Sequence, residues 1–335
     1  MSDDLLFALR RKFDNLRLQQ PELKRELVAE RIFELDRVRI ALGPDFLALV
    51  IPLINAEMPD FDEQLRSIKV IFNERIRLDD QECRAIVVKT VDLSDWLVNL
   101  FLHAVSVLAP VMRGRGDEEI VRTVRNLIEL FRGLDGSQRK SALGLWGELF
   151  CIAKAQDPDE SITAWHTSPF DKYDFSKGNT RVEIKTTTGV RAHHFSYEQL
   201  RPQHQIDLFV GSIVTSEVDD GISVEELLDQ ISRTDVSQES RSHLIITAMK
   251  TLGRAWPFES KRRFDYALAD HSFEFFSGAD IPCIQSPPPE LSDIHFRADM
   301  QAVPAIDVRR SSVLGDLECC RPPLFSDDYD EGEGT

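Results

Sequence analysis

Two acids and a lysine stand close together in a segment whose sequence predicts a β-hairpin. In "KYDFSKGNTRVEIKTTTG", residues 172–189, the letters SKGN have the composition of a tight turn between two strand-forming runs. Alternation along the second run places Val182 and Ile184 on one face and Glu183 and Lys185 on the other. Asp174, in the first run, can lie opposite or diagonal to Glu183. Two carboxylates this close repel each other unless a cation neutralises them, and Mg²⁺ accepts such oxygen ligands.

An acid pair with a neighbouring lysine suits the hydrolysis of phosphodiesters. These esters resist hydrolysis because their negative charge repels hydroxide, and a bound cation both offsets that charge and lowers the pKa of its water. Enzymes commonly lower such barriers by ~8 kcal/mol or more, so one basic residue is not enough. Lys185 could hold or deprotonate the attacking water, or steady a phosphate oxygen. The plain alternative is a solvent-facing Glu183–Lys185 pair worth ~1 kcal/mol or less.

The choice of aspartate in the first strand is between two residues. Asp171 competes with Asp174 for the metal, but its spacing of three residues sends it to the opposite face of a regular strand. The pattern therefore favours Asp174.

A further acid is predicted on a helix that precedes the hairpin. In "ALGLWGELF", residues 142–150, a rotation of ~100° per residue gathers Leu145, Trp146 and Leu149 into an apolar arc. Glu148 lies at the margin of that arc, where a helix packed beside the hairpin would deliver another metal or water ligand. The alternative is a glutamate at the rim of the helix, exposed to water. Trp146 and Trp165 are expected in the core.

The elements around these residues predict an α/β protein with a boundary near residue 135. Ahead of that boundary the sequence predicts a helical segment to about residue 38, a β-rich stretch, and helices over 93–112 and 118–133. Ser137 is a candidate N-cap for the helix that carries Glu148. Beyond it, strands alternate with helices, including helices near 223–234 and 237–251 and a strand pair in 264–278.

Composition limits the classes of function. The chain has 335 residues and a formal net charge of −17, which argues against an electrostatic grip on nucleic acid along the whole sequence, although local basic clusters such as "KRR" at 261–263 remain. Its five cysteines form no paired framework, which fits a reducing cytosol. The N-terminus lacks a secretory pattern, and the most apolar run, at 95–112, is interrupted by polar residues and is too short for a bilayer. We therefore expect a cytoplasmic protein with no membrane partner.

The order of these motifs resembles the PD-(D/E)xK, or restriction-endonuclease-like, nucleases. More narrowly, "GLWGELF", "SPFDKYDF", "VEIKTTTG" and "HHFSYEQL" resemble a bacterial family of PD-(D/E)xK proteins of otherwise unknown function, similar to components of restriction and phage-defence clusters. The resemblance is strongest over about 140–215. It implies an α/β fold with a restriction-endonuclease-like core, a mixed central sheet flanked by helices, preceded by an N-terminal α+β region.

The resemblance also implies roles for particular residues. Asp174 matches the motif aspartate, Glu183 with Lys185 the ExK, and Glu148 the acid of the first core helix. Tyr173 stands where the name-giving pattern has proline, a position that varies in the superfamily. The implied metal ligands are Asp174, Glu183, the backbone carbonyl of Ile184, and Glu148, with Mg²⁺ as the cofactor and Mn²⁺ as a substitute.

Several nearby side chains are candidates for binding the substrate. Gln199 falls where some members place a glutamine near the metal or the substrate phosphate. Arg181 and Arg191 flank the motif and could grip DNA, or simply confer solubility. His193 could contact phosphate, or could be a packed histidine.

Together these features predict a Mg²⁺-dependent DNA endonuclease of a bacterial restriction or phage-defence system. We expect region 1–135 to dock DNA or a partner, 136–318 to form the nuclease-like domain, and 319–335 to be an acidic, disordered tail. The expected partners are DNA and defence proteins such as an ATPase or a methyltransferase, and cutting both strands is simplest in a homodimer. The alternative is a non-catalytic subunit that uses the same fold to bind nucleic acid or a defence partner.

Overall fold

The chain forms two compact units in a computed structural model. The structure describes residues 2–19, 28–32, 37–55, 61–78, 81–134, 141–166, 172–201, 206–288, 290–308 and 313–322. Unit 1 comprises residues 1–140 and 244–260, and unit 2 comprises residues 141–243 and 261–335. Asp171, the candidate cap Ser137, the predicted boundary near 135 and most of the predicted acidic tail lie outside the described residues.

Unit 1 is built on a six-stranded antiparallel sheet in the order β1-β2-β3-β6-β5-β4. The strands are β1 Val28–Arg31, β2 Arg39–Leu42, β3 Leu47–Pro52, β4 Phe61–Gln64, β5 Ile68–Leu78 and β6 Gln81–Thr90. The helices of the unit are α1 Ser2–Gln19, α2 Asp95–Leu108, α3 Asp117–Leu134, the second part of α8 Gln238–Leu252, and α9 Trp256–Glu259, with 3₁₀ turns at Ala109–Met112 and Gly253–Ala255. The most apolar run thus forms a buried helix, α2, and no helix among the described residues has the length and apolar character to cross a membrane.

Unit 2 has a mixed four-stranded sheet in the order β13-β10-β8-β7. Its strands are β7 Phe175–Lys177, β8 Thr180–Thr187, β10 Asp207–Val214 and β13 Glu274–Ser277. β8 runs parallel to β10, and the other two pairings are antiparallel. Two further strand pairs accompany this sheet: β9 Ala192–Ser196 with β14 His295–Asp299, and β11 Glu217–Ser223 with β12 Arg263–Phe264.

The helices of unit 2 are α4 Ala142–Ala153, α5 Pro158–Ala164, α6 Tyr197–Leu200, α7 Val224–Arg233, the start of α8, and α10 Tyr266–Ser272, with a 3₁₀ segment at Gly315–Cys320. The first two, α4 and α5, precede the hairpin in the chain and pack against it. The unit is therefore mixed α/β, as a PD-(D/E)xK-like fold requires.

The predicted hairpin is confirmed, but its first strand is shorter and begins later than the sequence indicates. β7 starts at Phe175, so Asp174 precedes it, and Ser176 and Lys177 lie in the strand rather than in the turn. Phe175 pairs with Val182 and Lys177 with Thr180, so β7 and β8 are antiparallel and joined through Gly178 and Asn179. Gly178 adopts a φ of +50°, a left-handed conformation that glycine accepts without steric cost. The turn fixes the register that brings the acids together.

Other sequence predictions differ from the structure in their bounds or type. The first helix ends at Gln19 rather than near residue 38, and a strand begins at Val28. The cap of α4 is Ser141, whose hydroxyl accepts from the Gly144 N–H. The predicted strand pair in 264–278 contains helix α10, because Asp265 caps a turn that sequence alternation alone does not reveal.

Candidate metal centre

Helix α4 holds Glu148 inside the protein. Gly147 lets the helix approach β8 closely, since a Cβ at this position would lie 1.8 Å from Thr186 Oγ1. The Glu148 carboxylate is 1% exposed, and its Oε2 accepts a hydrogen bond of 2.9 Å from the Trp165 indole N–H. Glu148 is therefore buried rather than at a solvated rim, and its position is fixed by the approach of helix and strand.

Asp174 lies just before β7 and is bonded to the neighbouring strand. Its Oδ2 accepts a hydrogen bond of 2.7 Å from the Ile184 backbone N–H, and its carbonyl accepts from the His166 N–H at 3.0 Å. The side chain is 3% exposed. These bonds hold the carboxylate at the point where the β7–β8 hairpin begins.

His166 joins the two acids in a group that can bind a metal. Its Nε2 lies 2.8 Å from Glu148 Oε2 and 4.0 Å from Asp174 Oδ1. One ligand atom from each of the three residues lies within 4.8 Å of the other two. Among the described residues, this is the group of three or more histidine, cysteine, aspartate or glutamate side chains close enough to share a metal ion. The imidazole is 20% exposed, so it forms the open side of an otherwise buried group.

Glu183 and Lys185 form a second cluster with Gln199. Alternation along β8 turns both side chains away from the face that Thr186 presents to α4. Lys185 Nζ lies 2.7 Å from Glu183 Oε1, and the Gln199 amide donates to the same oxygen at 3.1 Å. Gln199 is itself fixed by the α6 capping box with Ser196.

Two buried aromatic residues, Phe195 and Tyr173, adjoin this second cluster. Lys185 Nζ lies 5.2 Å from the centre of the Phe195 ring, and Tyr173 donates its hydroxyl hydrogen to the Gln199 carbonyl. Burial, and then the negative charge of Glu183, raises the pKa of Tyr173. The Glu183–Lys185 pair is thus partly desolvated, unlike an ordinary solvent-facing pair.

The remaining candidate residues lie in different settings. Arg181 donates to the Gly178 and Thr180 carbonyls near the turn, and Arg191 donates to two backbone carbonyls and pairs with Glu274 at 3.0 Å. His193 is buried and lies 2.7 Å from Ser212 Oγ. Burial, followed by the positive charge of Lys185, lowers its pKa to about 4, so its imidazole is neutral at pH 7 and offers no positive charge to a phosphate.

The structure therefore divides the predicted site into two neighbouring parts. It brings Glu148 and Asp174 together, and it brings Glu183 and Lys185 of β8 together with Gln199 of α6. Within the described residues Glu183 does not join the three-residue group, although Ile184, which follows it, bonds Asp174 through its N–H.

Sequence reasoning did not single out His166. The available signal was the pair Trp165–His166 eight residues before the motif aspartate, in a segment where no regular element is predicted. Trp165 was expected only as a core residue; it is fully buried, and its N–H also bonds a carboxylate of the site.

Unit 2 is mixed α/β and has an acid on a helix, an aspartate just before a hairpin and an ExK in the second strand of that hairpin. These features define the PD-(D/E)xK class of proteins, which are generally nucleases. The family model described as "Putative PD-(D/E)XK family member, (DUF4420)" matches residues 9–301. The chain belongs to this family. Neither the curated proteins nor the solved structures contain a match to it.

Proposed function

We propose that the protein is a metal-dependent endonuclease that hydrolyses DNA phosphodiesters. The observation that carries this proposal is the burial of Glu148 and Asp174 beside each other in a group that can bind a metal, one strand away from the Glu183–Lys185 pair. Two buried carboxylates are costly without a compensating positive charge, and a divalent ion offsets both. Membership of the PD-(D/E)XK family described above supports a nuclease-like chemistry.

The residues present fit a divalent ion. Asp174 and Glu148 supply carboxylate oxygens that share one small volume, and Glu183 and the Ile184 carbonyl are the further proposed ligands on β8. Mg²⁺, or Mn²⁺ in its place, takes oxygen ligands of this kind. Such an ion, when bound, offsets the phosphate charge and lowers the pKa of a water molecule.

The proposed role of Lys185 follows from its contacts. Glu183 and the Phe195 ring hold its ammonium group in one place, and 20% of the side chain remains exposed for contact with a ligand. From there it would orient the attacking water or neutralise a phosphate oxygen. Gln199 would keep the Glu183 carboxylate in position through its amide.

The biological setting is part of the proposal. We propose DNA as the substrate and a bacterial restriction or phage-defence system as the context, with an ATPase or a methyltransferase as partner proteins. A homodimer would place two sites on the two strands. Arg181 keeps a partly exposed guanidinium beside the hairpin turn and is the better placed of the two arginines to meet DNA.

Substitution of the central residues tests the activity. Asp174→Asn and Lys185→Met should each lower the rate of nicking of supercoiled plasmid in Mg²⁺ or Mn²⁺ by at least ~100-fold, since each removes a charge that acts on the reacting phosphate or water. Asp207→Asn and Lys177→Met are matched controls, because both side chains are exposed on strands of the same sheet and belong to neither cluster of site residues.

The outcomes separate the proposed function from the alternative. Cleavage at the wild-type rate by both site variants would refute the assignment of these residues. Wild-type protein that binds DNA but cleaves none with either ion would instead favour the non-catalytic nucleic-acid-binding subunit. A metal-dependent rise in Tm that Asp174→Asn abolishes would support the metal site independently of cleavage.

A further inference from the structure

We propose that His166 is a direct nitrogen ligand of the ion held by Glu148 and Asp174, and that it makes the site prefer Mn²⁺ to Mg²⁺. The inference rests on the metal site of the proposed function and goes beyond it by adding a ligand and a selectivity. It is carried by the position of the imidazole, whose Nε2 lies beside both carboxylates.

The spacing of the three ligand atoms suits a single ion. Ligand atoms ~2.1 Å from one ion lie ~3 Å apart when they subtend a right angle and ~4.2 Å apart when they are opposite. The observed separations from His166 Nε2 are 2.8 Å to Glu148 and 4.0 Å to Asp174. Only small movements of the side chains would therefore be needed to admit the ion.

The backbone around His166 holds the imidazole toward the acids. His166 has a φ of +45°, a left-handed conformation that few side chains adopt and that costs about 1 kcal/mol or more. Two backbone contacts to the start of the hairpin secure the conformation: the His166 backbone N–H bonds the Asp174 carbonyl, and Trp165 forms a bridge with Phe175. Strain of this kind persists only where surrounding contacts hold the residue in place, and such residues cluster at functional sites.

Supporting hydrogen bonds extend beyond the three ligands. The indole N–H of Trp165 donates to the same Glu148 oxygen that faces His166, and the backbone carbonyl of Trp165 lies 2.9 Å from His243 Nε2. Metal ligands are commonly oriented by an outer shell of such bonds. The tryptophan and the histidine that follows it thus act on one carboxylate from adjacent positions.

A nitrogen ligand changes which ion the site prefers. Mg²⁺ binds oxygen almost exclusively, whereas imidazole suits first-row transition ions, whose affinities for mixed nitrogen and oxygen sites rise from Mn²⁺ onward. A site built from carboxylates alone would discriminate weakly between Mn²⁺ and Mg²⁺. With His166 as a ligand, Mn²⁺ gains a bond that Mg²⁺ uses poorly.

The test measures binding of Mn²⁺ alone to the metal-stripped, full-length protein. Electron paramagnetic resonance gives the Mn²⁺ affinity and its competition by Mg²⁺, and pulsed measurements detect a histidine nitrogen bonded to the ion. His166→Asn suits the left-handed backbone and replaces the imidazole by an amide. His194→Asn, at an exposed position of β9, is the matched control.

The expected result is a nitrogen coupling in the wild type and in His194→Asn that is lost in His166→Asn. Mn²⁺ affinity should fall by at least about tenfold in His166→Asn, while Mg²⁺ affinity changes by less than about threefold. Bound Mn²⁺ without a nitrogen coupling in the wild type would overturn the proposal even if His166→Asn failed to fold, and so would unchanged Mn²⁺ affinity in the folded variant. If the wild-type protein binds Mn²⁺ through a histidine nitrogen but cleaves no DNA, the nuclease assignment is overturned, whereas the assignment of His166 as a metal ligand is supported.

Discussion

The close contact of α4 with β8 leads to a prediction for Gly147→Ala. The added Cβ would lie 1.8 Å from Thr186 Oγ1 and 3.0 Å from Thr186 Cβ, both shorter than ordinary contacts. Rotation of the threonine can remove the first overlap but not the second, because Cβ does not move with χ1. The helix and the strand must therefore separate slightly, and Glu148, the next residue, moves with the helix.

Two opposing effects determine the size of the change. Alanine is favoured over glycine in a helix by ~1 kcal/mol, whereas overpacking a well-filled core costs ~1–3 kcal/mol. Here the overlap involves a short, β-branched side chain rather than the end of a flexible one, which places the cost at the upper end. We expect Gly147→Ala to lower the free energy of unfolding by ~1–2 kcal/mol.

A double-mutant cycle in urea tests this reasoning. Thr186→Ala removes a buried hydroxyl that lacks a hydrogen-bond partner among the described residues, so the single variant should cost little. Thr186→Ala removes the hydroxyl and the methyl but keeps the Cβ, so the cost that comes from the 1.8 Å overlap should disappear while the cost of the 3.0 Å contact remains. In that background the effect of Gly147→Ala should therefore shrink by ~1 kcal/mol without vanishing. Gly189→Ala is the control, since its Cβ would meet no atom within 4 Å. A Gly147→Ala protein more stable than the wild type, or a coupling near zero, would refute the proposed close contact.

Three further predictions concern residues around the site and the fold. The pKa of His193 is lowered to about 4 in the folded state, against ~6.5 in the unfolded state, so the stability that goes with a neutral His193 is present above pH ~6.5 and is lost as the pH falls toward 4. Between pH 7 and 5 the free energy of unfolding, measured in urea, should fall by ~2 kcal/mol more in the wild type than in His193→Gln. Equal falls in the two proteins would contradict the prediction. Ser223→Ala removes the capping box of α7 and should cost ~1 kcal/mol. Ser242→Ala, inside α8, removes only a hydroxyl that donates to the Gln238 carbonyl one turn earlier and should cost less than ~0.5 kcal/mol; similar costs for both would be inconsistent with a capping role. Trp165→Phe keeps an aromatic ring but removes the indole N–H that donates to Glu148. It should weaken Mn²⁺ binding ~10-fold in a titration, whereas unchanged affinity would show that this bond does not position the carboxylate.

Local sequence patterns were sufficient to predict the hairpin and the face that its charged side chains share. Alternation and turn composition predicted that Glu183 and Lys185 share a face, and the two side chains form an ion pair on β8. Helical periodicity likewise predicted α3, α7 and α8 to within a few residues. These features depend on neighbours in the chain, so a short window of sequence contains the information.

The burial of Glu148 depended on contacts distant in the chain. Periodicity placed it at the margin of an apolar arc and left a solvated rim as the alternative. The close approach at Gly147 and the indole of Trp165 determine that it is buried, and both contacts join residues that are many positions apart. No window of sequence contains that information.

The sequence by itself determined the acids, the lysine and the strand that carries two of them, because side-chain alternation is a local property of the backbone. Only the tertiary structure decided that His166 faces Glu148 and Asp174 while Glu183 bonds Lys185 and Gln199. The reason is physical: those contacts require a left-handed residue, a turn and a helix–strand approach to meet at one place, and each is fixed by packing rather than by its own sequence.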